Sequence, residues 1–222
     1  RNRAAAVDTT NGTVSTWNPN IAGSVTSLVV SDSTVYMGGA FNGAAAVNGN
    51  VKRSRAAAVD TTNGTATAWD PNATNTVSAL AISGTTVYMG GLFTAINQVT
   101  RNNAAAFGSD GRVAAWNPNV SNTVAALAVS GSTVYIGGTF NGANSINGTL
   151  TRNRLAAVDA TTTGTATAWD PNANNSVLAL AVSGSTVYLG GSFNGANSIN
   201  GTLTRNRAAA VDATSGAANS WD

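Results

Sequence analysis

Short runs of β-branched and aliphatic residues, separated by turn-forming residues, recur along the whole chain. In the copy that begins at residue 177, a run at residues 177–182 is followed by Ser183-Gly184-Ser185 and by a second run at 186–189, which ends at Gly190-Gly191. Glycine adopts positive φ without a Cβ clash, so Ser-Gly-Ser favours a hairpin turn. In the earliest copy Asp32 replaces this glycine, and Asp tolerates the same conformation better than most residues.

The same copy continues with a long loop rich in Asn and Gly and a third run at residues 207–211. A second turn at 212–216 leads to a fourth run that ends at Trp221. No segment has the 3.6-residue period and the capping residues of a helix. The pattern therefore predicts an all-β chain built from units of four short strands.

These units repeat with a period of about 51 residues. Tryptophan occurs at five positions spaced 52, 47, 53 and 52 residues apart: Trp17, Trp69, Trp116, Trp169 and Trp221. Tyrosine occurs at four positions spaced 52, 47 and 53 apart: Tyr36, Tyr88, Tyr135 and Tyr188. Because the two series share their irregularity, whole units repeat. We predict one repeat domain over 1–222, with a half unit at 1–18 and full units at 25–70, 77–117, 124–170 and 177–222.

Four-stranded units of this length predict a β-propeller with antiparallel blades, four complete and one half. A β-solenoid is the alternative, although its rungs are usually shorter and lack two tight hairpins. Two features are interpreted as structural: the five tryptophans, expected to be buried between blades, and the Gly-Gly pairs that end each second strand. The Gly-Gly pairs are Gly38 and Gly39, Gly90 and Gly91, Gly137 and Gly138, and Gly190 and Gly191.

The half unit contains only the third and fourth strands, so its open edge is a row of unpaired backbone groups. Proteins rarely leave such an edge bare. We expect upstream repeats or another copy of the chain to pair with it, and closure of the ring within the chain is the remaining possibility.

The repeat resembles known propeller families. The sequences Val-Tyr-Met-Gly-Gly-Ala-Phe at 35–41, Arg-Ser-Arg-Ala-Ala-Ala-Val-Asp at 53–60 and Trp-Asp-Pro-Asn at 69–72 resemble kelch repeats. They are more similar to the "delta-sixty" β-propeller repeats of bacterial secreted and surface proteins. This resemblance implies a propeller at an extracellular or cell-surface location and implies no general activity.

A second resemblance is to the tryptophan-docking motif of quinoprotein propellers. It is carried by Ala-Val-Asp-Thr-Thr-Asn-Gly followed by Trp69. Those enzymes bind pyrroloquinoline quinone, commonly with calcium and Glu. Glu is absent from this chain, so we interpret the motif as a lock between blades and expect no cofactor.

Composition narrows the chemistry further. The chain has no His, Cys or Glu, which removes the common general base, the thiolates and the usual zinc ligands. Its nine Asp are distributed singly, so we predict no enzyme activity and no metal site. A net charge of +2 without a run of like charge argues against a nucleic-acid partner. No apolar stretch approaches the ~20 residues of a membrane span. The chain has no signal peptide and begins with Arg1 rather than Met, which indicates a removed leader or a portion of a longer chain.

Arginine and asparagine supply the candidate ligand-binding residues. Both types fall on the predicted face that carries the long loops. We take as candidates Arg53, Arg55, Arg154, Arg207, Asn141, Asn144, Asn147, Asn194, Asn197 and Asn200. Guanidinium groups suit an anion or an acidic glycan, and amides suit sugar hydroxyls. The structural alternative is that the arginines pair with Asp70, Asp170, Asp222 and loop carbonyls, and that the asparagines form left-handed turns.

From these features we expect a non-catalytic structural or adhesive propeller module of a secreted or cell-surface protein. Its expected partners are further copies or upstream repeats, glycans or surface proteins. A carbohydrate- or peptide-binding propeller that uses the long-loop face is the alternative.

Overall fold

Every regular element in a computed structural model of the chain, which describes residues 1–108 and 110–221, is a β-strand. The strands form four three-stranded antiparallel sheets, one for each full unit, and one small two-stranded sheet. The first unit (25–70) contains β1 Val25–Ser31, β2 Thr34–Val47 and β3 Val51–Asp60. An all-β, antiparallel repeat is therefore confirmed.

The other units follow the same plan. The second unit (77–117) has β4 Val77–Ser83, β5 Thr86–Gly91 and β8 Ala104–Phe107, with a short hairpin of β6 Ala95–Ile96 and β7 Val99–Thr100 in its loop. The third unit (124–170) has β9 Val124–Ser130, β10 Thr133–Gly138 and β11 Leu155–Asp159. The fourth unit (177–222) has β12 Val177–Ser183, β13 Thr186–Gly191 and β14 Ala208–Asp212.

The hairpin turns between the first two strands of each unit contain the residues that sequence predicted. Asp32 has a φ of 49°, and Gly84, Gly131 and Gly184 have φ of 55–56°. The left-handed conformation at this one position explains why only Gly or Asp stands there.

The predicted fourth strand is reduced to a single bridge in each unit, and this corrects the expectation of four-stranded blades. In the first unit the bridge joins Val59 and Ala66. Beyond it, the Thr67 hydroxyl accepts from the Trp69 backbone N–H, and the Thr67 carbonyl accepts from Arg53. Pro71 has no N–H to continue a ladder. Side chains thus replace the main-chain pairing.

Neighbouring units pack through their first strands, with β1 beside β4, β4 beside β9 and β9 beside β12. Within the described residues no comparable contact joins β12 to β1, so the row of units is open. The first glycine of each pair permits this packing, because a Cβ on Gly90 would lie 2.4 Å from Val124 Cγ1. At Gly190 a Cβ would meet only Ala179 at 3.5 Å, since no described residue of another unit packs against it.

Four of the five tryptophans are buried, as expected, with 2–8% of their surface exposed. Trp221 is 48% exposed, which contradicts the expected burial. The reason is that the following unit supplies the residues that cover each of the other four. In the half unit (1–18), no described strand pairs with the edge at residues 4–7.

Candidate functional site

The first arginine of each unit fastens the segment that replaces the fourth strand. Arg152 donates through one Nη to the Thr167 carbonyl at 2.8 Å and through the other to the Thr151 carbonyl at 2.8 Å. The same bond to a carbonyl 13–15 residues downstream recurs in every unit, from Arg1, Arg53, Arg101 and Arg205. Each of these arginines acts as a clamp along the outer edge of its own sheet.

Two of these clamps also form ion pairs, as the structural alternative predicted. Arg53 lies 3.9 Å from Asp70 and Arg152 lies 3.7 Å from Asp170. Burial raises the pKa of the Asp170 carboxyl, and Arg152 opposes this rise. Asp222, the third expected partner, lies outside the described residues.

The second arginine position has a left-handed backbone. Arg55, Arg154 and Arg207 have φ of 65–70°. Each donates to a backbone carbonyl 15 residues upstream, as Arg207 does to Ser192 at 3.2 Å. The equivalent residue in the second unit is Asn103, with φ 61°. Arg207 is exposed, whereas Arg55 and Arg154 are half-buried.

Two of the candidate asparagines are committed to bonds within the fold. The Asn147 side-chain N–H groups donate to the Pro118 and Gly164 carbonyls at 3.3 and 3.0 Å, and its oxygen accepts from Ala166 N–H at 2.8 Å. Asn200 makes the equivalent bonds to Gly216 and Ala218, and Asn48 does so in the first unit. The long loop of each of these units thus folds back to reach the turn that follows the third strand.

The remaining candidate asparagines are exposed. Asn144 and Asn197 occupy left-handed turns with φ of 59° and 60°. Asn194 exchanges bonds with Asn174, whose side-chain amide donates to the Asn194 carbonyl at 2.9 Å. Asn141 makes no side-chain hydrogen bond to a described residue. These groups are open to solvent and to a ligand.

One polar cavity joins some of these residues. It has a volume of about 270 Å³ and is lined by Asn141, Asn153, Arg154, Asn172 and Asn174, between the third and fourth units. Asn153 donates to Asn172 at 2.8 Å and accepts from Gly142 N–H at 2.9 Å, which fixes its amide. Arg154 and Asn141 supply the uncommitted donors and acceptors. The cavity thus presents one cation and several amides, with no aromatic side chain.

In every unit except the second, the turn that follows the third strand is built around an Asp carboxylate. In the third unit Asp159 accepts the backbone N–H groups of Thr161 and Thr162 at 2.7 and 2.8 Å. These bonds lower the pKa of the Asp159 carboxyl.

No cluster of three or more Asp that could hold a metal ion occurs among the described residues. The described residues also contain no helix of the length and hydropathy that crossing a membrane requires.

A tryptophan from the preceding unit docks on the same turn. The indole N–H of Trp116 donates to the Asp159 carbonyl at 2.7 Å, and Trp169 and Trp17 make the equivalent bonds to Asp212 and Asp60 at 2.9 and 2.8 Å. Where the docking unit is a full unit, its tyrosine packs edge-on against its tryptophan, as Tyr88 does against Trp116 at 5.1 Å. Its hydroxyl donates across the joint to the Ala160 carbonyl at 2.8 Å.

Two buried serines that hold the clamp arginines were not predicted from the sequence. Ser145 and Ser198 are fully buried. Each hydroxyl accepts from the backbone N–H of the clamp arginine and donates to its carbonyl, at 2.7 and 2.8 Å for Ser145 and Arg152. The recurrence of Asn-Ser-Ile in both loops was the available signal, but composition alone does not separate a buried serine from an exposed one.

Comparison with known proteins identifies a fold and no family. No family model and no curated protein matches this chain. Among solved structures it is similar to the computationally designed Ika4 protein, with 15% identity and a TM-score of 0.56 over 86% of this chain and 95% of that one. It is also similar to the computationally designed Ika8 protein, with 14% identity and a TM-score of 0.52 over 88% of this chain and 60% of that one. At these identities the likeness concerns the fold alone.

Proposed function

We propose that the chain is a non-catalytic structural or adhesive module of the β-propeller type, from an extracellular or cell-surface protein. The observation that carries this proposal is the repeated joint, in which a tryptophan of one unit docks on the Asp turn of the next. A module whose recurrent side chains hold units together is suited to a mechanical or scaffolding role. The resemblance to delta-sixty repeats supports the location.

The surface supports the same role. Charged residues are only 9% of the chain, and the long loops expose mainly amides and hydroxyls. Salt screens charge interactions strongly and leaves neutral hydrogen bonds much less affected. We therefore expect adhesion by this module to depend little on ionic strength.

Adhesion of beads that carry the chain tests the proposal. Coated beads are held under flow over bacterial cells, extracellular-matrix protein and immobilised glycans, at low and high salt. We expect retention that is insensitive to salt and is lost with heat-unfolded chain. Turnover in a broad glycosidase, protease and esterase screen that is abolished by changing one Asp would contradict the proposal.

Carbohydrate binding at the long loops is a second candidate, favoured by the polar cavity beside Arg154. The substitution Arg154→Asn tests it, because Asn103 already occupies the equivalent left-handed position in the second unit. On a glycan array this variant should lose any binding of the wild-type chain, whereas Arg207→Asn, outside the cavity, should keep it. Equal binding by all three chains would exclude the cavity.

A further inference from the structure

The joint between units has two halves. One half is the tryptophan that docks, which in the full units is held edge-on by the tyrosine of its own unit. The other half is the Asp turn that receives it, with a glycine at the end of the turn. At Gly64 an added Cβ would lie 2.9 Å from Pro19 N, and at Gly164 it would lie 3.1 Å from Trp116 Nε1. The docked segment therefore lies directly against this glycine.

The receiving half is also present in the half unit, where no described residue docks on it. Asp8 accepts from the N–H groups of Thr10 and Asn11 at 2.8 and 3.1 Å, as its counterparts do in the full units. An added Cβ on Gly12 would meet no atom within 4 Å. Beside this turn, Val7 and Val14 are 57% and 61% exposed, whereas Val211, the counterpart of Val7, is fully buried.

At the other end of the row the docking half is present, and no described residue receives it. Trp221 is 48% exposed. Tyr188 nevertheless holds it edge-on at 5.4 Å and 82°, close to the 5.1 Å and 71° of Tyr135 and Trp169. Leu178, on the same unit, is 53% exposed. This half is thus preorganised for a contact that the described residues do not make.

We propose that Trp221 of one copy docks on the Asp8–Gly12 turn of a second copy, with its indole N–H donating to the Asp8 carbonyl. The inference rests on the proposed structural function and names its partner. The contact joins unlike surfaces, so it leaves a free half at each end and extends head to tail. The described residues supply no first or second strand to the half unit, so we expect the contact between copies to be weaker than the internal joints.

Two substitutions each remove one half of the contact. Gly12→Asn adds a side chain that the single chain tolerates, because Gly12 has φ 72° and open space around it, and Asn accepts this conformation. In the docked contact the new side chain meets the incoming backbone. Trp221→Ala removes the docking ring from the other half. Gly84→Asn is the matched control, a turn glycine with φ 55° and no neighbour within 4 Å, remote from the contact.

Sedimentation velocity, at concentrations from about 1 μM to about 1 mM, measures the association. We expect the wild-type chain and Gly84→Asn to form oligomers that grow with concentration, and Gly12→Asn and Trp221→Ala to remain monomers. An equimolar mixture of Gly12→Asn and Trp221→Ala should form a dimer and nothing larger, because together they retain one intact pair of halves.

Three results would overturn the inference. They are a monomeric wild-type chain, a mixture of the two variants that stays monomeric, and oligomers that still form in both Gly12→Asn and Trp221→Ala. A wild-type monomer whose tryptophan emission shifts to the red in Gly12→Asn would indicate docking within one chain and would also overturn it. A failure of the proposed function can be distinguished from a failure of this inference. The former is measured by bead retention and by enzymatic turnover, and the latter by the mass of the oligomers.

Discussion

Replacing Trp69 with Phe should cost much less stability than replacing Trp169 with Phe. The Trp169 indole N–H donates to the Asp212 carbonyl at 2.9 Å. The Trp69 Nε1 is buried and has no hydrogen-bond partner among the described residues. Gly108 stands where the other units have the receiving Asp, and Trp69 packs edge-on against Phe107 at 5.6 Å instead.

The size of the difference follows from hydrogen-bond energetics. Both substitutions remove one ring of the indole, and this packing loss is similar at two buried sites. Trp169→Phe also removes a hydrogen bond whose net contribution is about 1 kcal/mol. Trp69→Phe removes a buried unsatisfied donor whose desolvation costs about 1–3 kcal/mol. We therefore expect Trp69→Phe to be less destabilising by about 2–4 kcal/mol in total.

Equilibrium unfolding in urea measures both free energies, and Trp116→Phe provides a replicate of the hydrogen-bonded case, at 2.7 Å from the Asp159 carbonyl. Equal losses at positions 69 and 169 would refute the reasoning. That result would mean that the cavity of about 120 Å³ beside Trp69 holds a water that accepts from the indole N–H.

Three further predictions concern the joints and the turns. Trp169→Ala should cost about 3–5 kcal/mol, whereas Trp221→Ala should lower the melting temperature of the monomer only slightly, because Trp221 is half exposed. In thermal melts Gly90→Ala should destabilise, because its Cβ would lie 2.4 Å from Val124 Cγ1, whereas Gly190→Ala should be neutral or stabilising. Backbone N–H groups lower the pKa of Asp159 below its ordinary 3.8. The stabilisation from its carboxylate is therefore present above that pH and is lost as the pH falls through the pKa of the folded chain. In urea titrations at about pH 5 and about pH 2, Asp159→Asn should lose less unfolding free energy on acidification than the wild-type chain.

The first two strands of each unit could be predicted from sequence because their physics is local. Runs of β-branched residues ended by Gly-Gly, joined by a turn with Asp32 or Gly184, specify a hairpin without reference to the rest of the chain. The predicted run at 177–182 corresponds to β12, and the run at 186–189 to β13. The Gly-Gly pairs end the second strand in the second, third and fourth units, as predicted, whereas in the first unit β2 continues past Gly38 and Gly39 to Val47.

The fourth strand and the functions of the polar side chains depend on contacts distant in sequence. Arg53 clamps the Thr67 carbonyl, and this bond occupies a group that a fourth strand would have offered to a ladder. Asn147 reaches the Gly164 turn only because its loop folds back along the outer edge. Asn144, three residues earlier, has the same residue type and similar φ but remains exposed. Residue type alone could not distinguish these two asparagines.

The joint between the first and second units differs from the others in where its hydrogen bonds lie. It lacks the indole bond at its outer edge but gains two near the first strands. The Thr26 hydroxyl donates to the Val77 carbonyl at 2.7 Å, and Ser27 accepts from the Leu80 backbone N–H at 2.9 Å. The bonds across this joint have thus moved from the edge of the sheet to its inner side.

This shift predicts that replacing Ser27 with the residue that the other units share at this position lowers stability. All three other full units have Ala at the equivalent position, so Ser27→Ala would conform to the repeat and, on that ground alone, should be neutral or stabilising. The geometry predicts the opposite, because the substitution removes the acceptor of the Leu80 N–H and leaves a backbone donor between packed strands unpaired. We expect a loss of about 1–3 kcal/mol in urea unfolding and faster amide exchange at Leu80. Thr94→Ala, which removes a hydroxyl from an exposed loop of the next unit, is the control. An unchanged unfolding midpoint in Ser27→Ala would show that the bond to Ser27 contributes nothing to this joint.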